Sequence, residues 1–412
     1  GEEALALVEA GIDFEVVPGV TAGIGAAAYA GIPITHRGLA SNVGLVTGHE
    51  SPEKQGSALD WQALANWNGT LAFYMGVANL RHICRQLTSH GLDEDTPAAL
   101  IRWGTTPRQE VLTGVVGDIA SLADAADFKP PALIVIGQVV ALREKLNWFE
   151  RRALFGQRIV VTRSRRQASR LSHRLERLGA EVIEVPAIRI EPPEDTAALR
   201  KAIDVRASFD WIIFTSANAV DAFFEALADA ALDSRALASN KICTIGPATA
   251  ERLAGFGICP DAQPAKYTGE AVVETLAALQ DLSGMGILCP RADIAPADLP
   301  KALAARGARV RNVVAYRTVA ETADSGRVAE LLDGDEIDWI TFTSSSTVKN
   351  FFAMVGPDRL SAGSVRLASI GPVTSATIRE AGLLPAVEAE EHTIPGLVDA
   401  IVGQQIFEKE SL

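Results

Sequence analysis

Asp210-Trp211-Ile212-Ile213-Phe214-Thr215-Ser216 returns as Asp338-Trp339-Ile340-Thr341-Phe342-Thr343-Ser344, and 338 − 210 = 128. Arg163 in Val-Thr-Arg163-Ser matches Arg291 in Cys-Pro-Arg291-Ala, and Gly179-Ala180 matches Gly307-Ala308, each again 128 residues apart. Ile245-Gly246-Pro247-Ala248-Thr249 then matches Ile370-Gly371-Pro372-Val373-Thr374, with the offset slipping to 125 through a loop deletion. Four landmarks in one order make the C-terminal part, about 250 residues, a tandem duplication of one α/β unit. Any function has to suit a two-lobed, pseudo-symmetric protein.

Each copy reads as strand, helix, strand and then three further strand–helix steps; 158–162, 167–178 and 181–185 open the first copy. That alternation predicts parallel sheets with helices on both faces. Ile188-Arg189-Ile190-Glu191-Pro192-Pro193 and Tyr316-Arg317-Thr318-Val319 both follow the second strand of a copy, so two antiparallel linkers are expected between the lobes. Lobe one then combines 157–187 with 321–408, lobe two is 192–314, and a cleft lies between them at the carboxyl ends of the strands. Residues 1–149 differ in texture, being rich in Gly and Ala, with strands expected at 14–17, 44–47, 70–75, 98–101 and 132–136. A charged segment from Leu142 to Arg152 reads as a short linker into the repeat.

With 412 residues, 48% hydrophobic and 22% charged, the chain is long enough for two or three domains with sizeable cores. A net charge of −13 excludes a broad basic face, so nucleic acid and membrane surfaces are not expected partners. Cys84, Cys243, Cys259 and Cys289 form no C-x-x-C pair, which leaves a disulfide framework or zinc site without support and fits a reducing cytoplasm. The longest apolar stretch, Pro131 to Leu142, is roughly half of the ~20 residues that a membrane span needs. Gly1-Glu2-Glu3 is acidic and lacks an initiator Met, so the reading is of no secretory signal and of a chain that begins inside a domain.

Thr215-Ser216-Ala217-Asn218 and Thr343-Ser344-Ser345-Ser346 each follow a strand and enter a helix. Such residues cap helices, and the same hydroxyls and free N–H groups bind carboxylate or phosphate at a positive helix end. Gly246, Thr249, Gly371 and Thr374 present the same choice, glycine allowing close approach and proline opening the helix. Arg163 and Arg166 lie nearest the cleft, with Arg170, Arg174 and Arg177 behind them on a solvated helix face; Arg291 is the mate of Arg163. Tyr267 and Tyr316 each place a phenol at a lobe junction, as a weak acid or as packing. His173 and His392, the only histidines of the repeat, have no nucleophile motif around them, and metal ligation lacks a cluster. Catalysis here has to work by positioning and electrostatics on a reactive anion.

The Thr-Arg, Phe-Thr-Ser, Ile-Gly-Pro-x-Thr, Pro-Arg-Ala and Tyr-x-Thr series over about 155–408 resembles uroporphyrinogen-III synthase. The preceding part is similar to the C-terminal half of uroporphyrinogen-III C-methyltransferase, through Val17-Pro18-Gly19-Val20-Thr21-Ala22, Ala30 to Arg37, Tyr74-Met75-Gly76 and Trp103-Gly104-Thr105. The first resemblance implies that hydroxymethylbilane loses water, passes through a spirocyclic intermediate and closes with its terminal ring inverted, with no cofactor. Tyr316, and less directly Tyr267, would assist hydroxyl departure. Arg163, Arg166, Thr215, Ser216, Asn218, Gly246, Thr249, Arg291, Ser344, Ser345, Ser346, Gly371 and Thr374 would hold the carboxylates of this small-molecule substrate. The second resemblance implies an S-adenosylmethionine pocket at Thr21, Ala22, Met75 and Gly104, and a homodimer through that part. The family's glycine-rich turn and Gly-Asp-Pro loop are absent from this sequence, so the expectation is half a pocket and no tight cofactor binding. Two competing readings are an anion-binding two-lobed protein without catalysis and a methyltransferase as the main activity.

Overall fold

Five strands precede the repeat among the described residues: β1 (Val43–Thr47), β2 (Thr70–Tyr74), β3 (Pro97–Arg102), β4 (Glu110–Val115) and β5 (Ala132–Ile136). This computed structural model describes residues 1–48, 59–163, 165–321, 323–362 and 364–410, without the side chains of 165–169, 362, 409 and 410. The strands lie in the order β1-β2-β5-β3-β4, with β1 and β2 parallel and the other pairs antiparallel. Two expectations need correction. Residues 14–17 form no strand; Val17 is 84% exposed and no neighbouring strand receives the segment. The strand that sequence reading missed is β4, which pairs with β3 along its whole length while Gly114 interrupts its apolar pattern.

The Asp-Trp phrase does the same work twice in the repeat. Oδ2 of Asp210 accepts the N–H of Gly286 at 2.7 Å, and Oδ2 of Asp338 accepts the N–H of Arg158 at 2.7 Å. Because 286 − 158 = 128, each aspartate fixes the first strand of the other copy beside its own third strand. The tryptophans behind them, Trp211 and Trp339, are fully buried. Lobe one contains β6 (Arg158–Val161), β7 (Glu181–Glu184), β13 (Trp339–Phe342), β14 (Arg366–Ser369) and β15 (Val387–Glu388), all parallel, in the order β15-β14-β13-β6-β7. Lobe two contains β8 (Ile188–Glu191), β9 (Trp211–Phe214), β10 (Lys241–Thr244), β11 (Gly286–Ala292) and β12 (Arg309–Ala320), in the order β10-β9-β11-β12-β8. A parallel bridge from Cys243 to Ala262 extends its outer edge, and both residues sit 125 positions before the Ala368–Val387 pair of lobe one. Each lobe thus joins the first two strands of one copy to the later strands of the other. β8 runs antiparallel to the end of β12, Arg317 opposite Glu191 and Ala320 opposite Ile188, forming the expected two-stranded linker.

The N-terminal part is docked against lobe one. Arg108 donates to Glu181 through Nε at 2.7 Å and Nη2 at 2.5 Å. Phe149 packs edge-on against both Tyr29 and Phe155, with centroids at 4.7 and 5.4 Å. Beneath them Glu150 accepts from Arg143 at 2.6 Å and Gln109 at 2.8 Å. Burial pushes its carboxyl pKa up, and these bonds outweigh that push and hold it below the usual range. The linker segment is therefore structured.

Candidate functional site

Both lobes present the carboxyl ends of parallel strands followed at once by helix N-termini. In lobe two, Ser216 caps the helix Ala217–Asp229, its Oγ accepting the N–H of Ala219 at 3.1 Å. The same Oγ lies 3.0 Å from the phenolic oxygen of Tyr316, which is only 7% exposed. Thr215 and Asn218 are half-buried beside them. In lobe one, Ser344 caps the helix Ser345–Val355 by accepting from Thr347 N–H at 3.3 Å. Ser346 Oγ is 3.0 Å from Ser344 Oγ, and Ser345 Oγ donates to the carbonyl of Val373 at 3.3 Å.

The Gly-Pro turns open the helices Pro247–Ala254 and Pro372–Glu380. Gly246 and Gly371 are extended, so their need for glycine comes from space. A Cβ on Gly246 would lie 3.0 Å from Cδ1 of Tyr267, and one on Gly371 would lie 2.9 Å from Nδ1 of His392. Since 392 − 267 = 125, His392 is the positional mate of Tyr267. His392 has no nucleophile motif around it in the sequence, and the repeat offset is the signal that places it beside Gly371. Thr249 and Thr374, each 4% exposed, face inward from their helices.

Arg291 is 5% exposed; its Nη2 donates to the carbonyl of Pro296 at 2.6 Å, and Nε and Nη1 have no partner among the described residues. Arg163 is half-buried at the equivalent place in lobe one, where burial and then the charge of Arg170 lower its pKa. The side chain of Arg166 lies outside the described residues. Arg170, read from sequence as a solvated face, reaches across to lobe two and forms a two-pronged ion pair with Glu251. Both partners are exposed, so this contact is worth about 0–1 kcal/mol.

A cavity of about 820 Å³ lies between β8, the helix Ala197–Asp204 and the helix Ala217–Asp229. Of the predicted residues, Tyr316 and Asn218 line it. Its wall carries Glu191, Asp221, Glu225, Asp229 and Glu321 against Arg189 and Arg200. Arg189 pairs with Glu191 and Glu321, Arg317 with Glu191, and Arg252 with Asp221, so much of this charge is compensated at the wall. No group of three or more His, Cys, Asp or Glu among the described residues is placed to hold a metal ion, and none of their helices is long and apolar enough to cross a membrane.

In the N-terminal part the predicted cofactor residues come together. Thr21 Oγ1 is 2.6 Å from the phenolic oxygen of Tyr74, which also accepts the N–H of Gly23 at 2.7 Å. Met75 follows at φ 54°, and 64% of it is exposed. A Cβ on Gly104 would collide with Ala26, so only glycine lets this turn lie against the helix Ala22–Tyr29. Trp103 and Thr105 flank it at φ 47° and 73°.

A two-lobed α/β enzyme fold with a polar cleft, attached to a second α/β part, is the class these features define. Residues 169–399 match the family described as Uroporphyrinogen-III synthase HemD, and residues 1–120 match Tetrapyrrole (Corrin/Porphyrin) Methylases. The chain belongs to the uroporphyrinogen-III synthase family and joins that domain to a tetrapyrrole methylase segment. The Porphyrin biosynthesis protein HemD of Ruminiclostridium josui is 35% identical over 402 residues, 98% of this chain and 79% of that protein. The Uroporphyrinogen-III C-methyltransferase of Bacillus subtilis (strain 168) is 41% identical over 241 residues, 58% of this chain; the match spans 49% of that protein. A mutant uroporphyrinogen III synthase from Thermus thermophilus matches 61% of this chain and 99% of its own at 21% identity and a TM-score of 0.46.

Proposed function

We propose that the chain closes hydroxymethylbilane to uroporphyrinogen III as a hydro-lyase, without a cofactor, in the cytoplasm. The observation that carries the proposal is the Tyr316 phenol, held by Ser216 at a helix N-terminus and lining the 820 Å³ cavity. Membership of the uroporphyrinogen-III synthase family supports this reading. The C–O bond of the terminal hydroxymethyl group breaks with its electron pair on oxygen, which takes the Tyr316 proton and leaves as water. The adjoining pyrrole nitrogen supplies the electrons that make the exocyclic carbon electrophilic. A spirocyclic intermediate then rearranges so that the terminal ring is inverted. Closure releases one proton as the attacked carbon regains aromaticity, and the phenol is restored.

Arg163, Arg166, Arg291 and the turns at Thr215, Asn218, Gly246, Thr249, Ser344, Ser345, Ser346, Gly371 and Thr374 hold acetate and propionate groups, with Tyr267 as a second donor, while the Ser216 hydroxyl is engaged by Ala219 N–H and the Tyr316 phenol. In this reading 157–408 is the synthase domain and 1–149 belongs to a methyltransferase domain through which the protein dimerises. The fit of Gly104 against Ala26 and the clustering of Thr21, Ala22 and Met75 support S-adenosylmethionine there, whose sulfonium supplies an electrophilic methyl group when bound.

The test supplies hydroxymethylbilane made in situ, oxidises the products and separates uroporphyrin isomers I and III. Isomer III should predominate. Isomer I alone, the product of spontaneous closure, overturns the proposal.

A further inference from the structure

The two lobes carry the same serine at the same place but give it different neighbours. Ser216 and Ser344 both follow the third strand of a copy, both cap a helix, and 344 − 216 = 128. Among the described residues, Ser344 has only Ser346 and Thr347 as side-chain partners, while Ser216 holds the phenol of Tyr316 at 3.0 Å. The position equivalent to Tyr316 in the first copy is 316 − 128 = 188, an isoleucine. The pseudo-symmetry is therefore broken at one hydroxyl pair, of which Tyr316 lines the cavity.

We propose, resting on the synthase reading, that Ser216 is a positioning residue that aims the Tyr316 proton at the leaving oxygen. Ser216 Oγ already accepts the N–H of Ala219. With its own hydrogen donated to the phenolic oxygen, Ser216 leaves the phenolic hydrogen to point into the cavity that Tyr316 lines. The chain Ala219 N–H to Ser216 O–H to Tyr316 O–H then runs from the positive end of a 13-residue helix to the substrate. Each donor in such a chain polarises the next, and the helix end stabilises negative charge on the phenolic oxygen as its proton leaves. This effect exists in the transition state and scarcely in the ground state, so it belongs to kcat. The lobe-one serine lacks a phenol and serves to bind.

The experiment compares Ser216→Ala, Ser344→Ala, Tyr316→Phe and the double variant Ser216→Ala/Tyr316→Phe in the full chain, by rate of isomer III formation and by thermal midpoint. Both serine variants lose a cap and should lose stability alike. Ser216→Ala should lower kcat about tenfold with KM within about twofold, whereas Ser344→Ala should raise KM. In the Tyr316→Phe background the Ser216→Ala change should alter kcat by less than about twofold, because its route is already cut. Effects of Ser216→Ala and Tyr316→Phe that multiply, or a Ser216→Ala change confined to KM, overturn the inference. Absence of isomer III from the unsubstituted chain overturns the synthase reading instead, so the two failures are distinguishable.

Discussion

Tyr316 and Ile188 occupy equivalent places in the two copies, and a phenol replaces an alkyl group where the proposed reaction moves a proton. The hydroxyl is the only part of Tyr316 that Phe lacks, and its ring packs in the lobe-two core. Tyr316→Phe should therefore lower kcat for isomer III by on the order of 10², the low end of general-acid effects, with a thermal midpoint close to that of the parent. Steady-state kinetics with calorimetry checks this; a rate unchanged within twofold removes the phenol from the chemistry. The sequence marked Ser216 and Asn218 because a strand end before a helix is readable from periodicity, and Tyr316 because it falls in the second linker, which is the end of the long strand β12. It did not mark that Ser216 bonds Tyr316, since the two are 100 residues apart. His392 was readable only through the arithmetic of the repeat. Arg170 lies on the solvated helix face that its spacing predicts, and its exposed ion pair with Glu251 of the other lobe is a contact that spacing alone does not show.

Among elements, the third strand of each copy was legible and the reason for its opening aspartate was not. Asp210 and Asp338 accept N–H groups from Gly286 and Arg158, strands that belong to the opposite copy. Replacing either by Ala leaves a partly buried donor without an acceptor. Asp210→Ala and Asp338→Ala should each destabilise by about 1–3 kcal/mol and by similar amounts, read from urea unfolding. A loss in one variant alone would mean that the two bonds are not equivalent. Strand β4 escaped sequence reading because its signal lies in pairing with β3, while 14–17 has strand composition and no partner. Composition proposes a strand, and a neighbouring edge decides it.

At the scale of the molecule, the N-terminal part rests on lobe one through Arg108 and Glu181. The hydrogen bond from Arg108 is the largest influence on Glu181 and lowers its pKa against the effect of burial, with Arg158 adding to it. A carboxyl whose folded pKa is depressed contributes stability above its ordinary value of 4.5, and loses it as pH falls through the folded value. Glu181→Gln should lower the thermal midpoint at neutral pH, and the gap from the parent should close through that acid window. A gap that persists in strong acid would show that the carboxylate charge is not what docks the two parts.

The crossing of the chain at β8 and β12 has a further consequence. Neither copy owns a complete sheet, because each contributes two strands to one lobe and the later strands to the other. One copy folded alone would leave its opening two strands without the sheet they join, so the two copies close their lobes only together, in the manner of a swapped pair held on one polypeptide. Because the two halves are separate stretches of one chain, equivalent positions need not match, and 188 and 316 carry isoleucine and tyrosine.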